Sequence, residues 1–176
     1  MTDLRIVVMG VSGCGKSTVG TRLAQQLGCR FIDGDDLHPQ SNIDKMAASI
    51  PLTDEDRWPW LQLVGEALNG APNKVDGFGL VNPTGTVVAA SSLKRVYRDF
   101  IRGVAETVMF IHLDGTREVL VERLERRKGH FMGAQMLDSQ LAILEPLAAD
   151  EAGLVLNVSL SPNEIVERAL AYLNAQ

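Results

Sequence analysis

The stretch Gly10-Val11-Ser12-Gly13-Cys14-Gly15-Lys16-Ser17, with Thr18 after it, has the spacing G-x-x-x-x-G-K-[ST]. Glycines let the backbone turn tightly and approach an anion with no Cβ in the way. Successive N–H groups then converge on one concavity that suits a phosphate. Lys16 adds a point charge for β/γ-phosphates, and Ser17 offers a hydroxyl to Mg²⁺. Two acids follow, Asp33 and Asp35, flanking Gly34. Phosphoryl transfer to an alcohol gains from a carboxylate that orients the hydroxyl and takes its proton. We assign that role to Asp35 and place Asp33 towards the metal; the plain alternative is that both acids solvate a turn. Asp114, at the end of an apolar run, ranks lower as a metal acid.

Basic side chains come in two groups. Arg123, Arg126, Arg127, Lys128 and His130 crowd one helix end, with Arg123 and Arg127 on a shared face. Arginines on a lid would neutralise charge on a transferring phosphate; alternatively they answer the dipole of a helix C-terminus. Lys94, Arg95 and Arg98 form the second group, suited to an anion or to a solvated face. Arg57, beside Trp58, reads as a carboxylate clamp or an ordinary surface arginine. His38, before Pro39, reads as a turn residue, and three scattered histidines give no metal-ligand spacing. Cys14 reads as a small spacer in the loop. The stretch 73–76 (Asn-Lys-Val-Asp) fits a guanine-reading pattern, but it shares Asp76 with a switch-like D-x-x-G and precedes a strand, so it carries no site.

These residues need a frame. Leu4 to Met9 is a buried-strand pattern, and Val19, Leu23 and Leu27 at fourth-residue spacing form one apolar helix face ended by Gly28. Further strands are expected at 30–33, 86–91, 107–113 and 154–158. Helices are expected at 42–50, 93–102, 116–127 and 135–144. Thr53 caps a turn over 54–57, and Pro59 is expected to break it before a helix to about Asn69. Residues 70–85 read as a surface loop, and Ser161-Pro162-Asn163-Glu164 as a capping box opening the last helix. Alternating strands and helices argue for an α/β fold, a mainly parallel five-stranded sheet covered on both faces. Sites in such folds lie beyond the carboxyl ends of the strands, which gathers the loop, Asp33, Asp35 and the Ser91-Ser92 turn at one edge.

The 176 residues suit a single domain, and the net charge of −5 offers no broad field for nucleic acid or anionic membrane. No basic segment followed by a long apolar run opens the chain, and two cysteines make neither a disulfide framework nor a zinc site. A cytoplasmic protein with reduced thiols is expected.

Several stretches together resemble the small bacterial-type gluconokinases, P-loop kinases related to shikimate and nucleoside-monophosphate kinases. They are the phosphate loop, Asp33-Gly34-Asp35-Asp36-Leu37-His38-Pro39, Asn42-Ile43-Asp44-Lys45-Met46, and the run from Pro51 to Leu61 (PLTDEDRWPWL). Ser92-Leu93-Lys94-Arg95, residues 127–131 and Leu137-Asp138-Ser139-Gln140 complete the set. The resemblance implies ATP- and Mg²⁺-dependent phosphorylation of D-gluconate at its 6-hydroxyl. It also implies an acceptor-binding segment at about 37–69 and a lid at about 124–137. Asp35 would meet the acceptor hydroxyl and Arg57 its carboxylate. His38, Lys94, Arg95 and Gln140 join the acceptor set, while Arg123 and Arg127 become lid arginines acting with Lys16 on the transferred group. Dimers occur in the family. Cys14, Ser92 and Asn157 depart from the usual pattern without touching Lys16, Ser17, Asp35 or Arg57. Two alternatives stay open: a kinase for another small anionic hydroxy compound such as shikimate, and a nucleotide-dependent switch without acceptor chemistry.

Overall fold

The computed structural model describes residues 3–70, 84–126 and 133–176. The 73–76 stretch, most of the expected surface loop and Arg127 through Phe131 lie outside the described residues. Five strands, β1 (Leu4–Met9), β2 (Arg30–Asp33), β3 (Gly85–Ala89), β4 (Met109–Asp114) and β5 (Gly153–Asn157), form one sheet in the order β2-β3-β1-β4-β5. Every pairing is parallel.

The central strand has no wet face. Ile6 and Val8 turn to one core, with α1 (Lys16–Leu27), α5 (Arg117–Arg126), α6 (Gly133–Ile143) and α7 (Pro162–Asn174). Val7 and Met9 turn to the other, with α3 (Asp54–Leu68) and α4 (Arg95–Val104). Val87 and Val88 on β3, and Ile111 and Phe110 on β4, divide in the same way. Period-two alternation between two apolar layers explains why these strands read as unbroken apolar runs.

Several boundaries differ from expectation. The helix α3 is continuous through Pro59. Proline removes one backbone hydrogen bond there, but Pro59 is exposed, and the helix buries Trp60, Leu61, Val64 and Leu68 against the sheet. A capping box, Thr53 with Asp56, secures its start. The preceding helix, α2 (Gln40–Ala47), starts earlier than expected and stops before Ser49, which is left-handed at φ 58°. Left-handed Thr107, φ 59°, likewise delays β4 to Met109. Helix α4 begins at Arg95 because Lys94 is extended and serves as its N-cap.

Among the described residues, one ion pair is wholly internal. Arg98, with no exposed surface, donates through Nε to Glu151 Oε2 at 2.6 Å and through Nη2 to Oε1 at 2.8 Å. Burial alone would raise the Glu151 carboxyl; hydrogen bonds from Arg98 and from the Ala148 N–H, with the Arg98 charge, hold it at about 2. Glu151→Ala should therefore strand a buried cation and cost about 3–5 kcal/mol, whereas the double change Arg98→Met/Glu151→Leu should cost much less. Urea denaturation of both variants checks this, and equal losses would refute it.

Candidate active site

The parallel sheet delivers four loops to one edge. Gly10 leaves β1 and donates its N–H to Ser91 O beyond β3, at 3.3 Å. Its φ is 144°, and a Cβ there would lie 2.7 Å from both Leu113 O and Cys14 Sγ, so glycine is required. Cys14 is buried beneath the loop, as a spacer should be. Gly15, at φ 95°, turns the chain into α1, whose first N–H groups have no partner within the helix.

Asp33 ends β2 and joins the two acids to the loop. Its Oδ2 accepts the Ser17 hydroxyl at 2.8 Å, and its Oδ1 accepts the Asp35 N–H at 3.0 Å, capping a short 3₁₀ turn over Gly34–Leu37. The carboxylate thus fastens the Asp35 turn to the start of α1. Asp114, the lower-ranked candidate, receives Val158 N–H on its carbonyl. Asp35 stands exposed at the mouth, yet the surrounding protein removes enough hydration to raise its carboxyl. Repulsion from Asp33 and Asp36 adds to this, and Lys16 opposes it. Lys16 and Asp35 are therefore close enough to feel each other's charge.

From Asp35 the site continues along the 3₁₀ turn. His38 closes that turn and stacks on Trp60, with centroids 4.5 Å apart and planes 11° from parallel. Trp60 Nε1 donates to Gly34 O at 2.7 Å, pinning the residue between the acids. A Cβ at Gly34 would lie 2.5 Å from Ala89 O, which excludes any side chain there. Asn42, buried, donates to Asp56 O at 2.8 Å and lies 3.2 Å from His38 Nδ1. Burial first, and the nearby Arg57 charge second, lower His38 to about 4, so the ring is neutral near pH 7.

Beyond His38 lies a charged group the sequence only partly indicated. Arg57 Nη1 donates to Leu52 O at 2.7 Å and sits 3.9 Å from Asp54. Lys94 Nζ reaches Asp54 Oδ1 at 3.2 Å. Tyr97 donates its hydroxyl to the same oxygen, and its ring lies under both cations, 5.6 Å from Arg57 Cζ and 5.4 Å from Lys94 Nζ. The Tyr97 bond, then the Lys94 bond, hold Asp54 below the usual carboxylate range. Asp54 opens α3 and Tyr97 lies on α4, and the sequence expectations gave neither a place in the site. The position of Tyr97 three residues past Lys94, on one helix face, was the available signal.

Two expected acceptor residues are engaged elsewhere. Arg95 forms a two-point pair with Asp150, at 2.8 and 2.7 Å. Gln140 Oε1 accepts the Ser12 N–H at 2.6 Å, which puts it on the phosphate loop. Lys16 Nζ donates to Val11 O at 3.1 Å. Arg123 lies against the same loop, donating to Cys14 O at 3.4 Å and to Val158 O. Val11, Gly13 and Thr18 complete the loop. Arg127 falls outside the described residues.

A family model described as shikimate kinase matches residues 12–174. The chain is 47% identical over 155 residues to the thermosensitive gluconokinase of Escherichia coli K12, covering 88% of this chain and 79% of that one. It is 42% identical over 171 residues to the gluconokinase of Gluconobacter oxydans 621H, covering 97% and 92%. The chain belongs to the gluconokinase family. The crystal structure of a gluconokinase from Sinorhizobium meliloti 1021 superposes with a TM-score of 0.85 at 43% identity, over 99% of this chain and 93% of that one. The fold and the order of site elements are thus those of small P-loop kinases. Among the described residues no helix is long and apolar enough to cross a membrane.

The packing of His38 makes one titration testable. In the unfolded chain its pKa is about 6.5, against about 4 in the fold. Between those values only the unfolded chain takes up the proton, so stability falls as pH drops through that window and levels off below it. His38→Gln should flatten this acid slope. Urea midpoints at pH 7 and 4.5 measure it; an unchanged slope would rule the assignment out.

Proposed function

We propose that the protein transfers the γ-phosphoryl group of ATP to the 6-hydroxyl of D-gluconate, giving 6-phospho-D-gluconate and ADP. The observation that supports this most is the shared mouth of the phosphate loop and Asp35, fastened by the Ser17–Asp33 hydrogen bond. Gly10 to Thr18 would wrap the phosphates, with Lys16 and Arg123 holding charge on the transferred group. Asp35 would orient the acceptor hydroxyl and take its proton; desolvation raises its carboxyl above that of a solvated aspartate, which makes it a better base. Arg57 and Lys94 would take the acceptor carboxylate at the far end, with neutral His38 lining the path between. Arg127 joins Arg123 in this scheme through the family resemblance alone.

Ser17 Oγ and the Asp33 carboxylate are hard oxygen donors side by side, a set that fits Mg²⁺ directly or through water. When bound, the metal would offset the charge on the β- and γ-phosphate oxygens. The acceptor segment at about 37–69 and the lid at about 124–137 belong to the same reading. So do pairing of two copies and a cytoplasmic setting in which the free thiols of Cys14 and Cys29 stay reduced.

An ATP-coupled assay over sugar acids, shikimate and AMP tests the acceptor. Gluconate should be turned over best; comparable turnover of shikimate or AMP with none of gluconate would overturn the proposal. Lys16→Ala should abolish turnover while the fold melts normally. Asp35→Asn should lower kcat about 10²-fold or more, with little change in KM for ATP. In the wild type, kcat/KM should fall as pH drops through a pKa above the ordinary aspartate value of about 3.9, and Asp35→Asn should lose that limb. Arg57→Ala should raise KM for gluconate about tenfold to a hundredfold. A defect confined to ATP would disprove its placement.

A further inference from the structure

Lys94 is held from two directions. Its ammonium is fixed by Asp54, while its backbone sits in a turn that local sequence does not stabilise. Ser92, just before it, is left-handed at φ 46°, a conformation uncommon outside glycine. Lys94 is the N-cap of α4, and its own side chain supplies no capping bond. A distant residue ties down the first helical N–H instead. Glu145 Oε2 accepts the Arg95 N–H at 2.5 Å, and the Glu145 N–H donates to Leu93 O at 2.8 Å. One residue thus grips the chain immediately before and immediately after Lys94. Buried Arg98 reinforces the grip by donating to Ser92 O at 3.1 Å and Leu93 O at 3.2 Å, and Glu151 holds Arg98.

We infer that Glu145 is a positioning residue for acceptor recognition: it brackets Lys94 and sets the register in which that ammonium meets the acceptor carboxylate. Glu145 lies outside every motif and is exposed, so packing does not account for its two bonds. It follows α6, whose Gln140 holds Ser12 of the phosphate loop, so one short stretch fixes a backbone point on each side of the reaction. The inference rests on the reading that Lys94 takes the carboxylate.

Steady-state kinetics of the full chain with ATP and gluconate test it. Glu145→Ala should raise KM for gluconate about threefold to tenfold, the scale of a lost helix cap expressed as affinity, with KM for ATP unchanged. Glu145→Gln keeps an accepting oxygen and should restore the wild-type value. Ser161→Ala, which removes the cap of the distant helix α7, should lower the melting temperature without moving either KM. In a Lys94→Ala background, Glu145→Ala should add no further rise. An unchanged gluconate KM in Glu145→Ala, an equal rise for ATP, or a rise that persists without Lys94 overturns the bracket alone. An unchanged gluconate KM in Lys94→Ala overturns the carboxylate reading beneath it, and the bracket with it.

Discussion

Parallel pairing on both edges of β1 is the constraint from which the site follows. A strand dry on both faces, with β3 on one side and β4 on the other, must send its carboxyl end to the same rim as theirs. The glycine-rich turn after β1, the acids after β2 and the left-handed turn after β3 thus meet without long excursions. The Gly10–Ser91 and Ser17–Asp33 bonds then convert proximity into fixed geometry. Neither bond spans neighbours in sequence; the sheet brings their partners together.

Away from the rim the site changes character. Near the phosphate loop, the rim offers backbone N–H groups and one lysine. Some residues further on it offers two cations and a tyrosine hydroxyl gathered on one carboxylate. Asp54 offsets part of the charge of Arg57 and Lys94, so this end presents less positive potential than its cations alone would suggest. Between the two ends, neutral His38, stacked on buried Trp60, presents a flat, uncharged face. Such a layout suits an elongated acceptor with an anion at one end and a hydroxyl at the other.

The sequence made some of this legible and concealed the rest, for physical reasons. The phosphate loop, the Asp33–Asp35 pair and the strand types were readable because each depends on local residue types. Pro59 misled because its rule describes an isolated helix, and burial of Trp60, Leu61 and Val64 outweighed the lost bond. Lys94 and Arg95 looked alike as adjacent cations, yet one faces Asp54 and the other Asp150, a distinction only tertiary structure makes. Glu145 and Glu151 were invisible for the same reason. Their partners lie about fifty residues away and no pattern of spacing joins them.

The two tryptophans of the chain both belong to α3. Trp60 ties its indole to Gly34 beneath a stacked imidazole, and Trp58 sets its ring against Tyr97 and Phe100. No other indole dilutes their emission. The molecule therefore carries an intrinsic optical reporter whose two fluorophores flank the His38 side of the rim, one beside the acids and one beside the cations, with none next to the glycine-rich loop.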